Sequence, residues 1–252
     1  MSGQVLELRG VKKFFGSVSA LEDMSFTAYA GEVHAIVGDN GAGKSTAIKI
    51  ITGIYSADEG EIAVLGEALP QRRSAAQLQS HGIAVVYQDL ALVECLDIAT
   101  NVSLGRLPTR FGILDRKQMR REARKILSDL NVRVTDVTTP VGLLSGGQRQ
   151  IIAIARAVRL DMPLLLLDEP TAALGVQETA HVGEIIDQLK PTGKAIVCVS
   201  HDLDFVFRHA DRVTVLRLGR TVGSRTVAKT SRDEIIGLIT GAIEPDPKGA
   251  AA

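Results

Sequence analysis

The chain has 252 residues, 45% apolar and 23% charged, which suits an ordinary buried core in one domain or a domain with a subdomain. Its 29 basic and 29 acidic residues cancel, so bulk charge points neither to nucleic acid, which is not expected as a partner, nor to an anionic membrane surface. No apolar run approaches the roughly 18 residues of a membrane span, no signal-peptide pattern is present, and two cysteines make no disulfide framework, so a cytoplasmic protein is expected.

In chain order, residues 5–8 and 24–29 alternate apolar and polar side chains as half-buried strands do. Phe14 and Phe15 stand between them, ahead of Gly16. An aromatic just before a phosphate loop suits stacking on a base, with core packing as the alternative. The apolar run 32–37 then feeds Gly38-Asp39-Asn40-Gly41-Ala42-Gly43-Lys44-Ser45-Thr46, and residues 44–52 continue with Ile48 and Ile51 on one helical face. Strand, glycine-rich turn and helix are the context in which G-x-x-x-x-G-K-[ST] binds phosphate. Gly38, Gly41 and Gly43 let backbone N–H groups approach a polyphosphate, and the helix N-terminus adds about half a positive charge. Lys44 supplies a cation for the β- and γ-phosphates, and the Ser45 hydroxyl suits Mg²⁺.

Residues 61–66 read as a strand, 74–80 as a polar helix, and 83–87 as a short β-branched strand with Gln88 at its end. Ligands gather at strand ends in open α/β sheets, so Gln88 is placed to reach a metal or an attacking water. Residues 89–142 change character. Helices are expected over 97–106 and 116–132, the second with Met119, Ala123, Ile126, Leu127 and Leu130 on one face and a basic opposite side that reads as solvated. A mainly helical insertion in an α/β domain accounts for this. Leu144-Ser145-Gly146-Gly147-Gln148 opens a further helix over 150–160, and its free N–H groups and Ser145 hydroxyl suit phosphate oxygens or a plain N-cap.

Pro163-Leu164-Leu165-Leu166-Leu167-Asp168-Glu169-Pro170 reads as a strand buried on both faces. Two carboxylates at its end are costly without a counterion, which Mg²⁺ carried by ATP supplies. Asp168 then holds the metal, and Glu169 faces the γ-phosphate to polarise the attacking water. A helix is expected over 176–190 and another buried strand over 194–200, ending at His201, whose imidazole is placed to hydrogen-bond γ-phosphate. Cys198 lies in that strand as a small core residue. Residues 212–226 suggest a strand and hairpin, Ser231 to Glu234 a capping box for a last helix ending near Gly241, and 244–252 a disordered tail.

In order and spacing, GDNGAGKST, Gln88, LSGGQ, LLLLDEP and His201 over residues 5–225 resemble the ATP-binding-cassette ATPase family. The resemblance implies an α/β P-loop NTPase fold: a RecA-like core, an antiparallel β-subdomain and a helical subdomain near 89–145, in one nucleotide-binding domain over 1–243. It further implies two copies facing head to tail around two ATP molecules, each held by Lys44 and Ser45 of one copy and Ser145, Gly147 and Gln148 of the other, with Phe15 as the base-stacking aromatic. Gln88 and the helical subdomain would transmit closure to membrane-spanning permease subunits.

Residues 82–90 and 101–106 look like the bacterial monosaccharide-import branch. That implies a homodimer at the cytoplasmic face of the inner membrane, with a periplasmic sugar-binding protein setting the solute. The alternatives are a cassette that switches a soluble machine and a nonhydrolysing ATP-binding subunit. One departure stands out: after Pro170 the family usually has Ser-Ala-Leu-Asp, whereas Thr171-Ala172-Ala173-Leu174-Gly175 puts glycine in the aspartate's place, which bears on communication across the dimer.

Overall fold

The computed structural model describes residues 3–132 and 136–245. β1 (Gln4–Phe15) and β2 (Val18–Tyr29) form a long antiparallel hairpin. The pattern had marked only its two apolar stretches, because register shifts after Leu8, Val11 and Lys13 interrupt the alternation in between. β3 (Val33–Val37) runs through the glycine-rich loop into α1 (Lys44–Ile51). β4 (Glu59–Val64) turns through Leu65 and Gly66, both with left-handed backbone, into the short β5 (Glu67–Ala68), so the expected strand starts and stops two residues earlier. α2 (Ala75–Ser80) and β6 (Ile83–Val86) follow.

The insertion holds α3 (Ile98–Ser103), a hairpin of β7 (Thr109–Arg110) and β8 (Ile113–Leu114), and α4 (Arg116–Asp129). It is therefore not purely helical. After it come α5 (Gly146–Arg159), β9 (Leu164–Asp168), α6 (Val176–Leu189), β10 (Ala195–Val199), α7 (Leu203–His209), β11 (Arg212–Arg217), β12 (Arg220–Thr226) and α8 (Arg232–Thr240). The last helix does not open with a full capping box. Ser231 Oγ accepts from Glu234 N, but the Glu234 carboxylate takes the Thr230 hydroxyl and Arg225 instead. From residue 246 onward the expected tail lies outside the described residues.

One ten-stranded sheet runs β5-β4-β1-β2-β12-β11-β3-β10-β9-β6. β11, β3, β10, β9 and β6 are mutually parallel, whereas β5, β4, β1 and β2 pair antiparallel, and a narrow β2–β12 junction joins the halves. The fold is thus mixed α/β, with the antiparallel strands on one side of the phosphate loop and the helical insertion between β6 and β9. Helices cover both faces of the parallel part, which explains why β3, β9 and β10 are buried at every position. Leu164 to Leu167 are each at most 2% exposed. Burying four such side chains contributes roughly 6–12 kcal/mol before chain entropy is subtracted. The even leucines pack with Ile36, Ile48 and Ile51 on one face, and the odd ones with α3, α5 and α6 on the other.

Candidate functional site

Sheet register builds the site. Val199 of β10 lies opposite Ile36 on β3 and Asp168 on β9, while Val86 of β6 pairs with Leu167. The residues that follow these four strands therefore emerge side by side: Gly38 after β3, His201 after β10, Glu169 after β9 and Gln88 after β6. Backbone bonds from Glu169 N to Val199 O (3.0 Å) and from Ser200 N to Ile36 O (3.2 Å) continue the alignment past the strand ends.

The loop's shape depends on its glycines. Gly41 and Gly43 have φ of 81° and 105°, where side chains are rarely tolerated. A Cβ on Gly43 would lie 2.6 Å from Ala20 O, and one on Gly38 would lie 2.1 Å from Leu216 O. Lys44 is 6% exposed, and its Nζ donates to Gly38 O (2.7 Å) and Asp39 O (2.9 Å), which draws the loop around the ammonium. Asn40, Gly41, Gly43, Lys44, Ser45, Thr46 and Glu169 line a cavity of about 260 Å³ together with Val18, Ser19 and Ala20. Gly38, Asp39, Asn40, Glu169 and His201 line a second, of about 540 Å³, closed on its far side by Leu203, Ile236, Ile239 and Thr240. Ala42 is buried and contributes its backbone to the turn.

The electrostatics are unbalanced in both directions. Burial pushes the Lys44 ammonium below the usual lysine range, against the pull of Glu169, Asp39 and Asp168. Burial also pushes the Asp168 carboxyl above its usual range, helped by Glu169 and opposed by Lys49 and Lys44. Asp168 is 5% exposed, and its Oδ1 has no hydrogen-bond partner. A group that brings anionic oxygens to Lys44 and a cation to Asp168 relieves both distortions, and a metal–phosphate complex is such a group. Among the described residues no three His, Cys, Asp or Glu side chains cluster as metal ligands. A hard cation that keeps water and takes phosphate oxygens needs only Asp168 and Ser45 from the protein, which fits Mg²⁺.

Glu169 carries a left-handed backbone, φ 50°, an uncommon conformation for a side-chain residue that costs on the order of 1–2 kcal/mol. It holds the carboxylate at the rim of both cavities, 3.4 Å from His201 Nδ1. His201 is exposed on the other side.

Other expected site residues stand apart. Gln88 is exposed at the same strand edge but lines neither cavity. Ser145, Gly146, Gly147 and Gln148 also line neither. Ser145 Oγ accepts from Gln148 N (3.2 Å) while Gln148 Oε1 accepts from Ser145 N (3.0 Å), so the two side chains form a complete capping box at α5. Phe15 pairs with Val18, a lining residue of the smaller cavity. Its ring stands edge-on to Tyr55 at 5.0 Å, with the Lys13 ammonium 5.3 Å from its centre, and it is 42% exposed. Val18 to Ala20, Leu203 and the α8 residues were missed as site residues. Leu203 follows His201 by two residues but reads as an ordinary apolar position, and the others lie farther off in sequence with no motif; only the fold assembles them.

Residues 21–172 match the family described as ABC transporter. The chain is 44% identical over 234 residues to the ribose import ATP-binding protein RbsA of Chromobacterium violaceum, covering 93% of this chain and 46% of that protein. It is 41% identical over 256 residues to the fructose import ATP-binding protein FrcA of Rhizobium meliloti, covering 98% of each. The chain spans about half the length of the ribose and galactofuranose relatives it matches. Among solved structures, an ATP-binding cassette of an ABC transporter in its ADP conformation superposes with a TM-score of 0.80 at 26% identity, covering 98% of this chain and 96% of that one. A cassette dimer in a post-hydrolysis state, bound to ADP and Pi, gives 0.77 at 27% identity, covering 88% and 98%.

Proposed function

The chain belongs to the ABC transporter family, and from that premise we propose that it is the ATP-binding and hydrolysing subunit of a membrane importer, with a monosaccharide as solute. The relatives' names point to sugar import. The observation that carries the chemistry is the paired imbalance at the strand edge: a buried lysine held below its usual range beside a buried, unpartnered carboxylate.

Lys44 and the N–H groups of residues 38–46 bind the phosphates, and Ser45 and Asp168 hold Mg²⁺, with Gln88 within reach when the cassette closes. The metal, when bound, neutralises charge on the phosphate oxygens. Glu169 orients and polarises the attacking water, and His201 hydrogen-bonds the γ-phosphate and steadies Glu169. Phe15 stacks on the base. Ser145 to Gln148 lie outside their own chain's cavities, which suits service to the nucleotide of a second copy. ATP then joins two positive helix termini, and hydrolysis with phosphate release removes the bridging charge.

The helical insertion, α3 and α4 with their hairpin, moves as the subdomain that passes closure to permease subunits, which place the protein at the cytoplasmic face of the inner membrane beneath a periplasmic sugar-binding protein. No helix among the described residues is long and apolar enough to cross a membrane itself. The test is Glu169→Gln. The variant should still bind ATP but lose turnover by ~10²-fold or more, as removal of a transition-state partner does. Wild-type turnover would remove Glu169 from this role.

A further inference from the structure

Outside the nucleotide site, one surface of the insertion combines three costly features. The β7–β8 hairpin turns through Phe111 and Gly112, with φ of 52° and 77°. Both central residues of such a turn are left-handed, which asparagine and glycine accept and phenylalanine does not. Phe111 is nonetheless 93% exposed at the tip, with Ile113 at 74% and Leu107 at 47% beside it. Strain and water exposure of a large apolar ring are both unfavourable, and among the described residues no apolar packing offsets them at 93% exposure.

The hairpin leads directly into α4, tied to it by Asp115 N donating to Pro108 O at 2.9 Å. α4 holds six Lys and Arg against two acids, in a chain whose 29 basic and 29 acidic residues cancel overall. Its buried side is Met119, Ala123 and Leu127, and Lys117, Arg121 and Arg124 project opposite. Arg116 and Lys117 occupy the first turn, where cations oppose the helix dipole. Among the described residues Arg116, Lys117, Arg121 and Arg124 make no ion pair. The ion pairs at α4 are Lys125–Asp129 and Arg159–Glu122. At the tip, Arg110 lies 5.6 Å from the centre of the Phe111 ring.

An exposed apolar hairpin that continues into a helix with a face of unpaired cations is complementary to a surface that presents anionic groups above an apolar interior. We propose that the 107–114 hairpin and the exposed face of α4 form a docking surface for an anionic lipid bilayer, with Phe111 and Ile113 entering the headgroup region and Arg110, Lys117, Arg121 and Arg124 meeting lipid phosphates. The neutral bulk charge conceals this patch, and the basic run read as solvated from the sequence is its cationic half. None of these residues lines either nucleotide cavity.

The experiment is co-sedimentation of the full chain with vesicles of phosphatidylglycerol and phosphatidylethanolamine, or of phosphatidylcholine alone, at low and high salt. The chain should bind the anionic vesicles, bind less at high salt, and ignore phosphatidylcholine. The double variants Phe111→Ser/Ile113→Ser and Lys117→Glu/Arg121→Glu should each weaken binding about tenfold. All these side chains are exposed and none lines a nucleotide cavity, so ATP turnover should stay at the wild-type value and thermal melting should not fall below it. No binding to anionic vesicles, or equal binding by either double variant, would overturn the proposal. Loss of a detergent-solubilised membrane protein on Phe111→Ser/Ile113→Ser, without vesicle binding by the wild type, would transfer the surface to a protein partner.

Discussion

Replacing Asp168 by asparagine separates the stability of this site from its function. In the nucleotide-free protein the carboxylate sits at the end of β9, 5% exposed, with Oδ1 unpartnered and Glu169 alongside. An unsatisfied buried acceptor of this kind costs about 1–3 kcal/mol, and more when charged. Asparagine keeps the shape and removes the charge, so the free protein should become more stable by about 1–2 kcal/mol. For a chain of this size that is a rise in Tm of roughly 2–8 °C.

The pH dependence has a definite sign. The folded-state pKa of Asp168 is raised, so the folded chain holds its proton at a pH where the unfolded chain has released it. The penalty is present above the folded pKa and fades as pH falls through it. The gap between variant and wild type should narrow on acidification. With Mg²⁺-ATP the order reverses. Ligand at a hundred times its dissociation constant stabilises the wild type by about 2.7 kcal/mol, and the variant should lose most of that gain. Differential scanning calorimetry at pH 7 and pH 5, with and without Mg²⁺-ATP, reads all four quantities. A free variant that melts below the wild type would refute the electrostatic reasoning.

Other expectations follow from single residues. Gly43→Ala should abolish ATP binding, measured by equilibrium dialysis, because its Cβ meets Ala20 O at 2.6 Å from a left-handed backbone. Wild-type affinity in that variant would show that the loop adapts. His34 is fully buried, its Nε2 shares a hydrogen bond with Thr214 Oγ1 (2.7 Å), and burial, then Arg212, lowers its pKa to about 3. The unfolded chain takes up this proton near pH 6.5, so stability present above that pH is lost as pH falls towards 3, by roughly 2–3 kcal/mol at pH 4.5. Urea unfolding at pH 7 and 4.5 should show a smaller acid loss in His34→Leu than in wild type. Equal losses would count against it. Ser145→Ala should lower ATP turnover, and it should also weaken the α5 cap by about 1 kcal/mol, visible in urea unfolding. Unchanged turnover would take Ser145 out of the site.

The parts of the site that are local in sequence were legible. Glycine spacing, Lys44, and four leucines ending in two acids each announce a local structure whose physics does not depend on the rest of the chain. Their convergence was legible from the strand-end positions and the family resemblance but not from the apolar patterns, because it depends on β3, β10 and β9 pairing in parallel register, and several orders of those strands satisfy the same patterns. The far walls of the two cavities come from β2 and α8, segments without a signature, and from Leu203 at the start of α7, an ordinary apolar position just after His201. The LSGGQ turn allowed two readings, phosphate contact or an N-cap, and within one chain Ser145 and Gln148 form the capping box of α5. The β7–β8 hairpin escaped notice because two-residue strands show no alternation and its turn uses Phe where Asn is expected.

That Lys44, Asp168 and Glu169 complete a catalytic site only with Ser145 to Gln148 of a second copy is the central claim. Mg²⁺-ATP hydrolysis by the purified chain, measured per subunit across a range of protein concentrations alongside sedimentation, tests it most directly. The rate per subunit should rise with concentration in step with the dimer fraction. A steady rate that persists at concentrations where only monomer sediments would contradict it.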